Sequence, residues 1–261
     1  MSDSVLYSVA GSVATITLNR PQVMNALDAA MIHRLREVAE QVEREAEVRA
    51  VVLQGEGAAF CAGGNVETFR ANLASVPAMV REVAGDLHHA VLALRRSPKP
   101  VLASVHGAVA GAGMSLMTAA DLAIAAEDTK FALAYSRIGT SPDGGATWFL
   151  PRLVGYQKAL ELMLLSEPVD AATMQALGVV NRVVPAAPLE QETQRVVDRL
   201  TTGPTRAYAE TKRLVNEAFG SLLAAHLEDE ARAFARCAGS RDFAEGVTAF
   251  VEKRPPVFKG D

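Results

Sequence analysis

Hydrophobic positions along this chain alternate between short β-rich runs and longer stretches with helical spacing. Residues 5–9 and 13–18 flank Ala10-Gly11-Ser12, and this pattern predicts a β-hairpin. Later apolar runs, bounded by glycine, proline or polar residues, predict further buried strands. These runs cover residues 50–54, 101–105, 121–125 and 179–184.

Helical patterns fill the intervals between the predicted strands. Asp28 suits an N-cap position, and apolar residues recur at helical spacing from Ile32 to Val42. Residues 79–94 and 157–165 predict two more helices, and the chain beyond Pro188 is helical apart from breaks at 203–204, 220–221 and 239–240. Strands alternating with helices, followed by a helical tail, predict an α/β core with a helical C-terminal appendage.

The longest uncharged run, residues 101–120, has the length of a membrane-spanning helix. It also contains Gly107-x-x-x-Gly111, a pairing pattern of membrane helices. The run is rich in alanine and glycine where an inserted helix is rich in leucine. We therefore interpret it as a buried strand, a glycine loop and the start of a buried helix, and we expect no membrane association.

Composition and charge limit the possible partners. The chain of 261 residues is 49% hydrophobic and 21% charged, which is ordinary for a globular protein, and its net charge of −4 provides no field that attracts nucleic acid. Cys61 and Cys237 lack metal-ligand or redox spacing. Adjacent His88 and His89 would point about 100° apart on a helix, which does not suit a shared metal. We expect a cytoplasmic protein with no metal site.

Two glycine-rich turns are candidates for binding an oxygen atom. The first is Phe60-Cys-Ala-Gly63-Gly64-Asn65, and the second spans residues 106–113. Glycine lets backbone approach a ligand closely, and a strand-to-helix turn directs free N–H groups outward. If the two turns meet, they can polarise one oxygen from two sides. Each turn alone is equally compatible with simple chain reversal, and neither matches a dinucleotide or P-loop motif.

A third turn, Ser141-Pro142-Asp143-Gly144-Gly145, carries a carboxylate. Asp143 either caps the next helix, as is ordinary in such turns, or acts as an acid/base group held in a pocket by a rigid turn. Its spacing alone does not separate the two interpretations.

A series of motifs from about residue 5 to residue 258 follows an order typical of one superfamily. They are Leu18-Asn-Arg-Pro21, Met24-Asn-Ala-Leu27, residues 59–65, residues 99–107, Gly111-Ala-Gly113, Ala119-Ala-Asp121, Pro142-Asp-Gly-Gly145, residues 177–184 and residues 245–254. In this order they resemble the crotonase (enoyl-CoA hydratase/isomerase) superfamily. The resemblance implies a ββα spiral core over residues 1–200, a helical trimerisation region over residues 201–261, and a homotrimer or dimer of trimers.

The resemblance also implies a site and a ligand. The backbone N–H groups of Gly64 and Ala112 would bind the thioester oxygen of an acyl-CoA and stabilise an enolate. The adenine-binding stretch falls at Asn25-Ala26-Leu27, and contacts from a neighbouring subunit fall at Phe250 and Lys253. From the residues alone, Lys253 is as well explained as a solvated side chain and Phe250 as a core residue. No tightly bound cofactor is implied, because coenzyme A enters as part of the substrate, and residues 67–80 are expected to cover the pocket.

Departures from the family pattern narrow the predicted reaction. The two glutamates with which hydratases of this superfamily activate water fall at Ser115 and Tyr135, and neither is a general base near neutral pH. Asp143 remains, and residues 139–152 most resemble the ring-1,2-epoxyphenylacetyl-CoA isomerases. We predict an isomerase with Asp143 as base. The alternatives are a hydratase, a dehalogenase of the 4-chlorobenzoyl-CoA type assisted by His88, and a shell that binds acyl-CoA without turnover.

Overall fold

Nine β-strands form two sheets in the computed structural model, which describes residues 3–261. In chain order they are β1 (Val5–Ala10), β2 (Val13–Leu18), β3 (Ala50–Gly55), β4 (Val101–Val105), β5 (Ala108–Ala110), β6 (Leu122–Ala126), β7 (Lys130–Ala132), β8 (Val169–Asp170) and β9 (Arg182–Val184).

The larger sheet has the order β1-β2-β3-β4-β6-β9, and the smaller has the order β5-β7-β8. Strands β1 and β2 form the predicted antiparallel hairpin, and every later pair of the larger sheet is parallel. Strand β5 pairs in parallel with β7, which pairs antiparallel with β8. Because β5 follows β4 after two residues, the chain leaves one sheet and enters the other at the second glycine-rich turn.

Eleven α-helices surround these sheets within the described residues. They are α1 (Ala29–Arg44), α2 (Val66–Ala71), α3 (Val76–Arg96), α4 (Ala112–Ala119), α5 (Ala146–Val154), α6 (Tyr156–Leu165), α7 (Ala171–Ala176), α8 (Leu189–Thr201), α9 (Thr205–Ala218), α10 (Leu223–Ala238) and α11 (Arg241–Glu252). The predicted α/β core and helical C-terminal region are therefore both confirmed.

Helix α1 illustrates how the sequence pattern becomes packing. Asp28 accepts a hydrogen bond from the Met31 amide at 3.0 Å and so caps the helix. The apolar positions from Ile32 to Val42 lie buried on one face, and this face packs against α3 and the sheet. Helix α8 covers the other face, where Val197 packs against residues of β3, β4 and β6.

The uncharged run at residues 101–120 divides as predicted into a strand, a glycine turn and a helix, with the short strand β5 added inside the turn. Helix α4 is buried along its whole length, which explains why the run lacks charge. Across the described part of the chain, no helix combines the length and the apolar character that a membrane crossing needs.

Helix α9 is fastened to the core by a buried ammonium group. Lys212 Nζ donates to the carbonyl oxygens of Leu94 at 2.8 Å and Lys99 at 3.0 Å. It also lies 2.7 Å from an Asp121 carboxylate oxygen, and Arg95 pairs with the same carboxylate. The C-terminal helices are thus tied to the ends of α3 and the start of β4.

Candidate active site

The two glycine-rich turns meet in the structure through a short ladder of backbone hydrogen bonds. The Cys61 amide donates to the Ala108 carbonyl at 3.1 Å, and the Ala110 amide donates to the Cys61 carbonyl at 2.9 Å. On its other side the first turn is held by the Leu27 amide, which donates to the Gly63 carbonyl at 2.7 Å. The first turn is therefore fixed between residue 27 and β5.

Two glycines permit this close approach. A Cβ on Gly113 would lie 2.4 Å from the Cys61 carbonyl oxygen, which no side chain can do without displacing backbone. Gly63 has a φ of +99°, and a Cβ there would lie 3.0 Å from the Ala110 carbonyl oxygen. Contact between the turns thus depends on glycine at both positions.

The amides of Gly64 and Ala112 are left available by this arrangement. Within residues 3–261, neither N–H donates to a protein acceptor. Ala112 is the first residue of α4, where an amide has no partner in its own helix and where the helix dipole favours negative charge. Both residues line one cavity, so the pair has the chemistry of an oxyanion hole.

This cavity has a volume of about 90 Å³ and lies between α1, α2, α3 and the three turns. Its wall is mostly apolar, with Asp143 and Asp28 as its acidic members. The apolar lining residues are Leu27, Ala29, Ile32, Phe69, Met79, Val80, Val83, Ala84, Leu87 and Ala112. Such a wall suits the acyl part of a substrate and excludes water from the reacting atoms.

Asp143 is held at the cavity wall by a turn with two left-handed glycines. Gly144 has a φ of +57° and Gly145 a φ of +90°, and α5 begins immediately afterwards. The Asp143 carbonyl accepts a hydrogen bond from the Ser115 hydroxyl at 2.8 Å. Tyr135 donates its hydroxyl proton to Asp143 Oδ1 at 2.7 Å. The backbone of Asp143 and one of its two carboxylate oxygens are therefore both held in place.

Tyr135 remains a neutral donor. Burial raises the pKa of Tyr135 far above its ordinary value, and the negative charge of Asp143 raises it further. Neither Tyr135 nor Ser115 lines the cavity, and their side chains lie behind Asp143. No local sequence pattern indicates this contact, because seven residues, including a turn, lie between Tyr135 and Asp143.

Asp28, the other carboxylate at the cavity, is already engaged. Its Oδ1 accepts from the Met31 amide, and its Oδ2 lies 2.7 Å from the Arg20 guanidinium. An oxygen that caps a helix and one that pairs with a cation are poor proton acceptors. Asp143 is consequently the carboxylate available for chemistry.

The three residues predicted to bind adenine, 25–27, do not all lie at the cavity. One supports the first turn, and another lines the cavity. Asn25 is fully buried, and its side-chain amide donates to the carbonyl oxygens of Glu56 at 2.9 Å and Ala59 at 2.7 Å. The Asn25 side chain therefore supports the first turn and offers no surface to a ligand. Ala26 accepts a hydrogen bond from Arg20 through its carbonyl, and Leu27 lines the cavity.

The C-terminal residues predicted to contact coenzyme A lie elsewhere in this chain. Phe250 is 85% exposed on α11, where it borders a separate cavity with Phe243, Val247 and Phe258. Lys253 is exposed at the end of α11 in a left-handed conformation, with a φ of +56°. Neither residue borders the cavity of Asp143 within one chain.

His88 does not line the cavity of Asp143. It is exposed and lines a different cavity with Arg95 and Trp148, whereas its neighbour Leu87 lines the cavity of Asp143. Successive helical residues point about 100° apart, so only one of the two can face the carboxylate. The histidine that the dehalogenase alternative requires is therefore placed in a neighbouring cavity, which Gly144 and Gly145 also line.

Part of the segment that we expected to cover the pocket does line the cavity. Within residues 67–80, Thr68, Phe69, Met79 and Val80 line the cavity, and α3 adds Val83 and Leu87 beyond that range. The contribution of Ile32 was not predicted, although its place on the apolar face of α1 was.

Comparison with known proteins shows which family the chain resembles over its length. The family model described as enoyl-CoA hydratase/isomerase matches residues 8–261. A protein from Rhodobacter capsulatus named probable enoyl-CoA hydratase is 40% identical over 257 residues, which cover 98% of each chain. The 1,2-epoxyphenylacetyl-CoA isomerase of Escherichia coli is 36% identical over 262 residues, which cover 100% of each chain.

Among solved structures, the enoyl-CoA hydratase from Polaromonas sp. JS666 superposes with a TM-score of 0.92 at 36% identity, covering 98% of this chain and 99% of that one. The likeness confirms the predicted crotonase-type fold with its helical C-terminal region. Because the family model and both relatives span nearly the whole chain, and because the chain brings a pair of free amides and a carboxylate to one apolar cavity, this protein belongs to the enoyl-CoA hydratase/isomerase family.

Proposed function

We propose that this enzyme isomerises an acyl-CoA thioester through an enolate, with Asp143 as the base. One observation carries the proposal. Asp143 is the carboxylate with an unengaged oxygen at a cavity that the amides of Gly64 and Ala112 also line.

The mechanism follows from where charge develops. Removing a proton from the carbon next to a thioester moves negative charge onto the carbonyl oxygen. Two preorganised N–H groups, from Gly64 and Ala112, would stabilise that oxygen in a site with little water, and one such donor contributes about 3–4 kcal/mol. Asp143 accepts the proton and returns it to a carbon further along the acyl chain. The double bond migrates, and no water is consumed.

Support for isomerisation over hydration comes from the two positions where a hydratase of this family would hold its glutamates. Ser115 and Tyr135 are buried, do not reach the cavity, and are hydrogen-bonded to Asp143 and to each other. A hydroxyl in that place cannot activate a water near neutral pH. The Escherichia coli relative named as an isomerase matches the chain over its full length, which also favours this reaction.

Substrate entry requires movement of the cover. A cavity of about 90 Å³ is small beside the 300–1,000 Å³ typical of ligand pockets. Helix α2 and the first turns of α3 form its outer wall and are exposed to solvent on their outer side, so we propose that they shift to admit the acyl chain. Coenzyme A would enter past Leu27, with Phe250 and Lys253 supplied by a neighbouring subunit.

The test is turnover of a 3-enoyl-CoA and of crotonyl-CoA in deuterated water, followed by mass spectrometry. We expect double-bond migration in the wild type and a loss of about 10²–10⁴-fold in Asp143→Asn, the range for removal of a general base. Asp170→Asn is the matched control, because Asp170 caps α7 outside the cavity and asparagine caps equally well.

Three outcomes would contradict the proposal. Hydration of crotonyl-CoA that survives in Asp143→Asn would identify a hydratase with another water-activating group. Chloride release from 4-chlorobenzoyl-CoA would identify a dehalogenase. Tight binding of acyl-CoA without any turnover would identify a non-catalytic shell.

A further inference from the structure

A chain of three hydrogen-bonded side chains lies directly behind the cavity. The Tyr135 hydroxyl is 2.7 Å from Asp143 Oδ1 and 3.0 Å from Ser115 Oγ. Ser115 Oγ is in turn 2.8 Å from the Asp143 carbonyl oxygen. Ser115 is fully buried and Tyr135 is 8% exposed, so water does not compete for these contacts.

Proton counting fixes the direction of the chain. A tyrosine hydroxyl has one proton, and an ionised carboxylate can only accept, so Tyr135 donates to Asp143. Ser115 also has one proton, which it shares between the Asp143 carbonyl oxygen at 2.8 Å and the Tyr135 oxygen at 3.0 Å. A hydrogen bond to an ionised acceptor is shorter and stronger than one between neutral groups. The contact between Tyr135 and Asp143 is therefore the strongest link of the chain.

The two oxygens of Asp143 are made unequal by this contact. Within residues 3–261 only Oδ1 receives a hydrogen bond from a protein donor. Oδ2 is left free on a side chain that lines the cavity. A carboxylate held at one oxygen presents the other in a fixed direction, which a proton transfer between two carbons of one substrate requires.

The Asp143 turn is packed directly against Ser115. A Cβ added to Gly144 would lie 2.9 Å from Ser115 Cβ and 3.3 Å from Leu87 Cδ2. The glycine backbone therefore rests on Ser115 with no space between them. A longer side chain at position 115 would push the Asp143 turn out of place.

We infer that Tyr135, seated by Ser115, is the positioning residue that holds Asp143 Oδ1 and so makes Oδ2 the oxygen that carries the proton. This inference rests on the proposed function, in which Asp143 is the base. It adds that the hydrogen bond from Tyr135 holds that base in position. Tyr135 acts through Asp143, since it does not line the cavity.

In the part of the chain that the structure describes, none of the groups that line the cavity donates a hydrogen bond to the Asp143 carboxylate in place of Tyr135. On α1 the charged member is Asp28, which is paired with Arg20. The faces contributed by α2, α3 and α4 present Thr68 and apolar or small residues. Arg137, on the segment that follows Tyr135, donates to the Ser166 carbonyl instead.

The experiment compares Tyr135→Phe with Tyr7→Phe over a range of pH. Tyr7 is a matched control, because its hydroxyl also donates to a carboxylate, that of Glu45 at 2.5 Å, outside the cavity. We expect Tyr135→Phe to lower kcat about 10–100-fold with little change in KM, since loss of orientation affects the transition state more than binding. The acidic limb of kcat/KM should move to higher pH, because the ionised carboxylate loses a hydrogen-bond donor.

Tyr7→Phe should leave kcat and the acidic limb as in the wild type. Wild-type kcat and an unmoved acidic limb in Tyr135→Phe would overturn the inference. If Tyr135→Phe does not fold, Ser115→Ala decides. It should lower kcat about threefold to tenfold and move the acidic limb in the same direction, and a wild-type profile would overturn the inference.

An infrared measurement on the resting protein separates this inference from the proposed function. The carboxylate band of Asp143, assigned from the difference between wild type and Asp143→Asn, should shift in Tyr135→Phe and stay in place in Tyr7→Phe. An unshifted band in Tyr135→Phe would overturn the inference even if the enzyme turns over. Absence of isomerase turnover in the wild type, with the band shift present, would instead overturn the proposed function.

Discussion

At the residue scale, Cys61 shows how the first turn is held in place. Its Sγ–H points to the Asn25 carbonyl oxygen at 3.2 Å, and its backbone joins the turn to β5. The thiol is fully buried, and burial raises the pKa of Cys61 to about 12. This thiol is therefore a packing group and not a nucleophile, since the thiolate is the reactive form.

The raised pKa of Cys61 predicts a loss of stability at alkaline pH. The folded protein keeps the thiol proton up to about pH 12, whereas the unfolded chain loses it near the ordinary thiol pKa of 9.0. Over this interval the folded state binds more protons, so the free energy of unfolding falls as pH rises, by about 1.4 kcal/mol per pH unit from this group. The full contribution is present below pH 9.

Denaturant unfolding of the wild type and Cys61→Ala at several pH values measures this effect. Lysine and tyrosine titration is common to both proteins, so the difference between the two curves isolates the thiol. A difference that stays constant from pH 8 upwards, within about 0.5 kcal/mol, would contradict the assignment.

The sequence indicated the three turns that meet at the cavity, but it did not indicate the side-chain contacts that surround them. The glycine turns and the Pro-Asp-Gly turn have local signatures, whereas Gly64, Ala112 and Asp143 were singled out within them by the family resemblance. The engaged state of Asp28 and the contact from Tyr135 depend on side chains brought together by the tertiary fold. No local spacing encodes such contacts.

At the element scale, prediction succeeded where an element is long or fully apolar. Strands β2 and β4 have the predicted bounds, and the three helices from α8 to α10 end near the predicted breaks. The run at 179–184 is strand only from residue 182, since Val179 and Val180 belong to the turn after α7. The two- and three-residue strands of the smaller sheet were missed, because they exist through pairing with distant segments.

The attachment of α9 predicts an asymmetric effect of two neighbouring substitutions. Lys212 is buried among carbonyls and Asp121, whereas Arg213 pairs with Glu210 and Glu217 on its own helix near the surface. Lys212→Met should lower the free energy of unfolding by about 3 kcal/mol, because it leaves part of a buried charge network unpaired. Arg213→Met should lower the free energy of unfolding by about 0.5 kcal/mol, which is typical of the loss of a surface ion pair.

Chemical denaturation of both variants measures the difference. Equal effects of the two substitutions would contradict the role assigned to Lys212. Loss of the far-ultraviolet signal of the C-terminal helices before that of the core in Lys212→Met would support it further.

At the scale of the whole molecule, the C-terminal helices leave much apolar surface uncovered. Each of the following side chains is more than half exposed: Phe219, Leu222, Leu223, Leu227, Phe234, Phe250, Val251 and Val257. A monomer rarely presents so many large apolar groups in one region, and such surfaces usually bind another chain. The division into a core of residues 1–200 and a C-terminal region of residues 201–261 stays a prediction. If it is correct, the chain assembles through residues 201–261.

The family resemblance implies a homotrimer or a dimer of trimers, and we expect this exposed surface to be buried in that assembly. Multi-angle light scattering should give three or six times the chain mass of 27.7 kDa. Phe250→Asp should lower the mass or weaken the assembly, because it places a charge at an apolar contact. A monomeric mass for the wild type would contradict the prediction, and it would also leave Phe250 and Lys253 without a route to the substrate.

The central claim is that a single carboxylate moves a proton between two carbons of one substrate. Its most direct test uses a 3-enoyl-CoA carrying deuterium at the carbon next to the thioester, in ordinary water, with mass spectrometry of the product. We predict an isomerised product that keeps part of the deuterium at the new position, formed by the wild type and lost in Asp143→Asn. A product heavier by one water, or isomerisation undiminished in Asp143→Asn, would contradict the account.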